Sequence, residues 1–188
     1  MLKKTIAFVL LLALFFTFHE SQAMHSPYYY KVKQAETPKK AVRNFLKWYE
    51  ENMERLKQFD LISGKPGDST KAYRVNFGET EKYLAELKKS GFVSDQYINQ
   101  FRNYFKIADA NLEKYPQYDG PAQGFEFDLV LQTHDLDETF HLAKKGQYVL
   151  KPQSPDTTKV YIRLTTIVML LKLTRSGNSW LIDSLEYV

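Results

Sequence analysis

Cysteine is absent from all 188 residues, which excludes disulfides, thiol catalysis and the lipid-bearing residue of a bacterial lipoprotein. Whatever holds this chain together is its core. Glycine and proline are scarce, at 8 and 7, while aromatic residues reach 15%; this balance belongs to a packed domain rather than a disordered chain. Gly-x-Ser-x-Gly and P-loop patterns are missing, so serine-hydrolase and phosphate-cradle readings lack their defining residues. Basic runs do not exceed two residues, as at Lys39-Lys40 and Lys144-Lys145, and the formal net charge is only +4. These lysines read as solvated surface, and no nucleic-acid partner is expected.

What is present begins with an address. Lys3 and Lys4, the apolar run from Ile6 to Phe18 and the small side chains of Ser21 and Ala23 have the three-part layout of a secretory signal peptide over residues 1–23. The run suits a translocon but is short for a membrane span. The alternative is an uncleaved anchor. A mature chain starting near Met24 would be secreted or periplasmic, without a membrane attachment. Its length suffices for one domain that buries about 70% of its unfolded-chain surface.

Residues 24–36, with Tyr28-Tyr29-Tyr30, lack periodicity and read as a tether ahead of a single domain over residues 37–188. Thr37 and Pro38 then supply an N-cap and a first helical residue. Val42, Phe45, Leu46, Tyr49, Met53 and Leu56 follow at the i, i+3, i+4, i+7 spacing of an amphipathic helix. The stretch from Ser63 to Ser69 breaks the chain. A second helix is expected from about Glu79 to Ser90, with Tyr83, Leu84 and Leu87 on one face, stopped by Gly91. Ser94 caps a third, whose stripe of Tyr97, Ile98, Phe101, Phe105, Ala108, Leu112 and Tyr115 ends at Pro116.

Beyond Gly120-Pro121 the composition turns to strand formers over 147–151, 159–164, 168–175 and 179–187. The apolar side chains of Val160, Ile162 and Leu164 sit at even positions, those of Ile167, Met169, Leu171 and Leu173 at odd ones. An uninterrupted strand cannot exchange its faces, so a tight hairpin, or else a bend, lies at Thr165-Thr166. Arg175 to Asn178 forms a second turn. On the last strand, Trp180 and Ile182 are expected on one face, with Leu181, Leu185 and Tyr187 on the other. Helices first and strands last give an α+β domain: three N-terminal helices packed on an antiparallel sheet of about four strands.

Three segments carry a family resemblance. Residues 41–49, the terminal hairpin with Gly177, Trp180, Leu181, Ile182 and Asp183, and the stretch Asp128-Leu129-Val130-Leu131-Gln132-Thr133-His134-Asp135 resemble the domain-of-unknown-function family numbered 3828. In the third segment Leu129 replaces a typical proline and His134 a typical glutamine. The resemblance implies an exported bacterial protein with a nuclear-transport-factor-2-like, or cystatin-like, cone of helices against a curved sheet. It implies no reaction.

Chemistry-bearing groups concentrate after residue 127. His134, Asp135, Asp137, Glu138 and His141 could hold a divalent metal, with Glu138 and His141 able to face one way on a helical turn. The plainer reading is a solvated acidic loop anchored by Phe140 and Leu142. Asp128 or Asp135 could orient His134 as a general acid/base; the plainer reading has Asp135 in a turn, bonded to backbone N–H groups. Trp48, Tyr49, Phe101, Tyr104 and Phe105 could line a pocket, or simply form core. The expected function is a non-catalytic exported domain, without a cofactor, binding a small molecule or an envelope protein through the concave sheet and residues 128–135. An envelope enzyme using His134 and a carboxylate, and an immunity-type inhibitor with a large exposed patch, are the alternatives. A binding domain should show a pocket with an apolar lining and a few polar groups.

Overall fold

Thr37 accepts a hydrogen bond from Lys40 N at 3.3 Å, and Pro38 opens helix α1, Pro38–Leu56. The computed structural model describes residues 36–188; the leader at 1–23 and the tether up to residue 35 lie outside the described residues. After α1 come strands β1, Ile62–Ser63, and β2, Arg74–Val75, then helices α2, Phe77–Lys89, α3, Asp95–Lys114, and α4, Leu136–Lys145. Four strands close the chain: β3, Gln147–Pro152, β4, Thr157–Arg163, β5, Val168–Ser176, and β6, Ser179–Tyr187. These four form an antiparallel sheet in sequence order, while β1 and β2 pair separately. The protein is therefore α+β. No helix among the described residues is long and apolar enough to cross a membrane.

The expected hairpin is present. Ile162 faces Met169 and Val160 faces Leu171 across β4 and β5, and Leu164 N bonds Ile167 O at 3.1 Å to close the loop at Thr165-Thr166. Even positions thereby meet odd ones on a single face. That face packs beneath α1, whose Val42, Phe45, Leu46 and Tyr49 are buried with Val160, Ile162, Leu171 and Ile182 in one core.

Two expectations need correction. The acidic loop after residue 135 is the helix α4, a fourth helix, with Asp135 as its N-cap accepting from Glu138 N at 2.9 Å. Asp137 and Glu138 in its first turn and Lys144 and Lys145 in its last complement the helix dipole. Its buried residues, Thr139, Phe140 and Ala143, are too few to declare a stripe in sequence. The second correction concerns β6, where the register shifts between Lys172 and Leu173, leaving Asp183 as the extra residue of a bulge. Ile182 then faces Leu173, Leu185 faces Leu171 and Tyr187 faces Met169, so all three share one side of the sheet. Asp183 turns away and accepts from Thr174 Oγ1 at 2.6 Å. The outer edge of β6 is bonded by the chain entering α3, through Ile182 N to Phe92 O at 2.8 Å and Ser94 N to Ile182 O at 2.9 Å.

Gly146 joins α4 to β3 where no side chain fits. A Cβ there would stand 2.8 Å from Ile162 Cγ2 and 2.9 Å from the Arg163 carbonyl oxygen, and backbone cannot step aside cheaply. Gly146→Ala should lose about 1–3 kcal/mol, the usual cost of overpacking, read as a lower urea midpoint with an unchanged slope. A midpoint equal to wild type would mean that the helix–strand junction is looser than described.

Candidate functional site

The site is assembled by two irregular segments held together, residues 57–75 and 115–135. Tyr73 N bonds Gln117 O at 2.8 Å, Gly67 N bonds Tyr118 O at 3.0 Å, and the Tyr73 hydroxyl donates to Gly120 O at 3.1 Å. Gln117 folds the second segment on itself, donating to Pro121 O at 2.6 Å and accepting from Gln123 N at 2.9 Å. Arg74 adds a fork to Asp109 of α3, at 2.8 and 2.6 Å, which anchors β2. Between these segments and the last turns of α1 lies an open cavity of about 610 Å³.

Met53, Leu56, Leu61, Ile62 and Leu129 make its apolar walls, and Tyr49, Phe59, Tyr73, Tyr83, Phe125 and Phe127 add aromatic rings. The four-stranded sheet contributes no lining residue to it. A smaller cavity of about 330 Å³ lies against Tyr97, Phe101, Tyr104 and Leu185, and Phe127 and Leu129 border both. Of the aromatics weighed as pocket or core, Tyr49 and Phe105 are buried core, Tyr49 also lines the larger cavity, and Phe101 and Tyr104 line the smaller. Trp48 packs against Phe45 and Phe92 instead.

Asp128 is the polar centre of the larger cavity. Its Oδ1 accepts from Leu131 N at 2.6 Å and its backbone N–H donates to Thr133 O at 3.0 Å, which winds residues 128–133 into a tight turn. Oδ2 accepts from the Tyr49 hydroxyl at 2.6 Å. Burial pushes the Asp128 carboxyl above the usual range; the bonds from Leu131 N, Tyr49 and Val130 N, and the more distant Lys57 charge, pull it back only in part. No salt bridge among the described residues includes it.

Tyrosines from α1, α2, α3 and β6 surround this carboxylate. Burial, followed by neighbouring tyrosine and Asp128 charge, drives Tyr49 far upward, and burial ahead of the Asp128 charge does the same to Tyr83 and Tyr97. Tyr187 is pushed up to about 12 by burial and then by Asp128, and its hydroxyl donates to Leu131 O at 2.7 Å. The β6 bulge is what brings Tyr187 onto this side of the sheet. All four phenols stay protonated at neutral pH.

The other sequence candidates do not join this centre. His134 is exposed on the cavity wall, its ring edge-on to Phe127 at 5.8 Å, and it makes no hydrogen bond to Asp128 or Asp135. Asp135 is spent on the α4 cap. Glu138 and His141 lie one turn apart on α4, both exposed, and no group of three or more metal-ligating side chains occurs among the described residues. Sequence reasoning picked out Asp128 but read Tyr83 and Tyr97 as plain stripe residues. The available signal was the hydroxyl, a polar atom at a buried position, although Tyr97 Oη makes no hydrogen bond among the described residues. No protein-family model, curated protein or solved structure matches the chain.

Proposed function

We propose that this is an exported, non-catalytic domain that binds a small molecule in the cavity between α1 and the Asp128 turn. The observation that carries this reading is the cavity itself. Its volume of about 610 Å³ falls within the range of small-molecule sites, and its lining combines apolar and aromatic side chains with the polar groups of Lys57, Asp60, Glu126, Asp128, Thr133 and His134. The resemblance to family 3828, with its cone-shaped fold, belongs to the same reading and rests on the three segments that carry it, while the envelope location rests on the signal-peptide layout of residues 1–23. An acid/base role for His134 is not favoured, because no carboxylate orients its ring.

Nile red, a neutral apolar dye, tests occupancy. Its fluorescence should rise with one-to-one saturation, and Leu61→Trp, which places an indole in the cavity wall, should weaken binding by about tenfold or more, equivalent to about 1.4 kcal/mol. Absence of saturable enhancement, or binding indifferent to Leu61→Trp, would contradict a cavity that admits ligands.

A further inference from the structure

The cavity wall has a one-sided charge. Asp60, Glu126 and Asp128 line it, against Lys57 as the one lysine on the wall and the unpartnered, exposed His134. Lys57 is itself engaged, its Nζ standing 2.6 Å from Glu54 Oε1. Asp128 has neutral donors on both oxygens, Leu131 N and the Tyr49 hydroxyl, but no cation. A carboxylate withdrawn from water without a counter-charge costs free energy, and a cationic ligand in the cavity would recover it. An anionic ligand would meet like charge there.

The aromatic lining points the same way. Phe59 and Tyr83 meet edge to face at 6.3 Å and form one corner of the cavity, while Phe125 and Phe127 stand beside Asp128 in sequence and line the same space. Ring faces carry negative quadrupole charge and attract ammonium groups, most strongly where water is excluded. Apolar walls of Met53, Leu56 and Leu129 would accommodate a hydrocarbon body attached to such a head. Resting on the small-molecule reading above, we infer that the ligand class is an organic cation, an ammonium head carried on an apolar body, with Asp128 as the counter-charge.

The experiment is a calorimetric titration of the whole protein with three probes of matched shape: benzyltrimethylammonium, neutral benzyldimethylcarbinol and anionic benzyldimethylacetate. The cation should bind about tenfold or more tighter than the neutral probe, and the anion weakest. Asp128→Asn should erase the preference of cation over neutral while the neutral probe still binds. Glu126→Gln, on an exposed side chain outside the Asp128 turn that keeps an oxygen to accept from Gly124 N, as Glu126 Oε2 does at 2.7 Å, should reduce the preference in a variant that keeps the fold. Equal binding of cation and neutral probe, or a preference untouched by both substitutions, overturns the cation assignment. With Nile red still bound, that failure strikes the ligand class alone; loss of Nile red binding as well strikes the cavity reading.

Discussion

Phe45→Ala should destabilise the protein by about 3–5 kcal/mol, the usual range for deleting a buried aromatic ring. Phe45 is fully buried where α1 meets the sheet. Its ring lies 6.2 Å from Tyr49, 6.5 Å from Trp48 and 6.4 Å, edge-on, from Phe92. Truncation would remove apolar contact from all three neighbours and leave a cavity that a helix pinned on several sides cannot close. With no disulfide available, and a total stability of about 5–15 kcal/mol typical of single domains, such a loss brings the fold close to its limit at room temperature. Urea unfolding followed by far-ultraviolet circular dichroism measures it; a loss below about 1 kcal/mol would mean that the site collapses around the deletion.

Tyr49→Phe should cost about 1–3 kcal/mol at neutral pH, the penalty for a buried acceptor that loses its donor. The substitution keeps the ring and its stacking, and removes only the hydroxyl bonded to Asp128 Oδ2 at 2.6 Å. The pH dependence identifies the cause. That bond favours the ionised carboxyl, so the penalty should shrink as pH falls and Asp128 takes up a proton. A penalty equal at both pH values would point to packing instead.

The helices were legible because their signals are local and repeated. Thr37, Asn76 and Ser94 act as caps, although Asn76 starts α2 two residues ahead of the expected Glu79, and Gly91 takes the left-handed conformation, at φ 76°, that stops a helix. The Thr165-Thr166 hairpin was legible from phase alone. What sequence could not show was non-local. The Asp183 bulge depends on pairing with β5 and on the segment at Phe92, and it moves Leu185 and Tyr187 to the face opposite the one their alternation implies. Helix α4 spends its capping residue, Asp135, on a motif too short for periodicity to register. Asp128 was singled out as a partner for His134, but the hydroxyl it accepts from lies 79 positions upstream at Tyr49, and Tyr187, which bonds Leu131 O of the same turn, lies 56 positions beyond that residue. No spacing rule reaches that far.

Asp128 is a carboxylate held beside a cavity, with no salt-bridge partner among the described residues. Its titration, followed through the side-chain carboxyl carbon by nuclear magnetic resonance, tests that directly. An unperturbed Asp titrates near about 3.9; Asp128 should titrate above it, because burial outweighs its hydrogen bonds. Between those two values the native state holds a proton that the unfolded chain has lost, so the stabilising contribution of this group is full below the unfolded value and disappears as pH rises through the native one. Benzyltrimethylammonium should draw the midpoint back down. A midpoint at or below the ordinary value in the free protein, unmoved by the cation, would contradict the account.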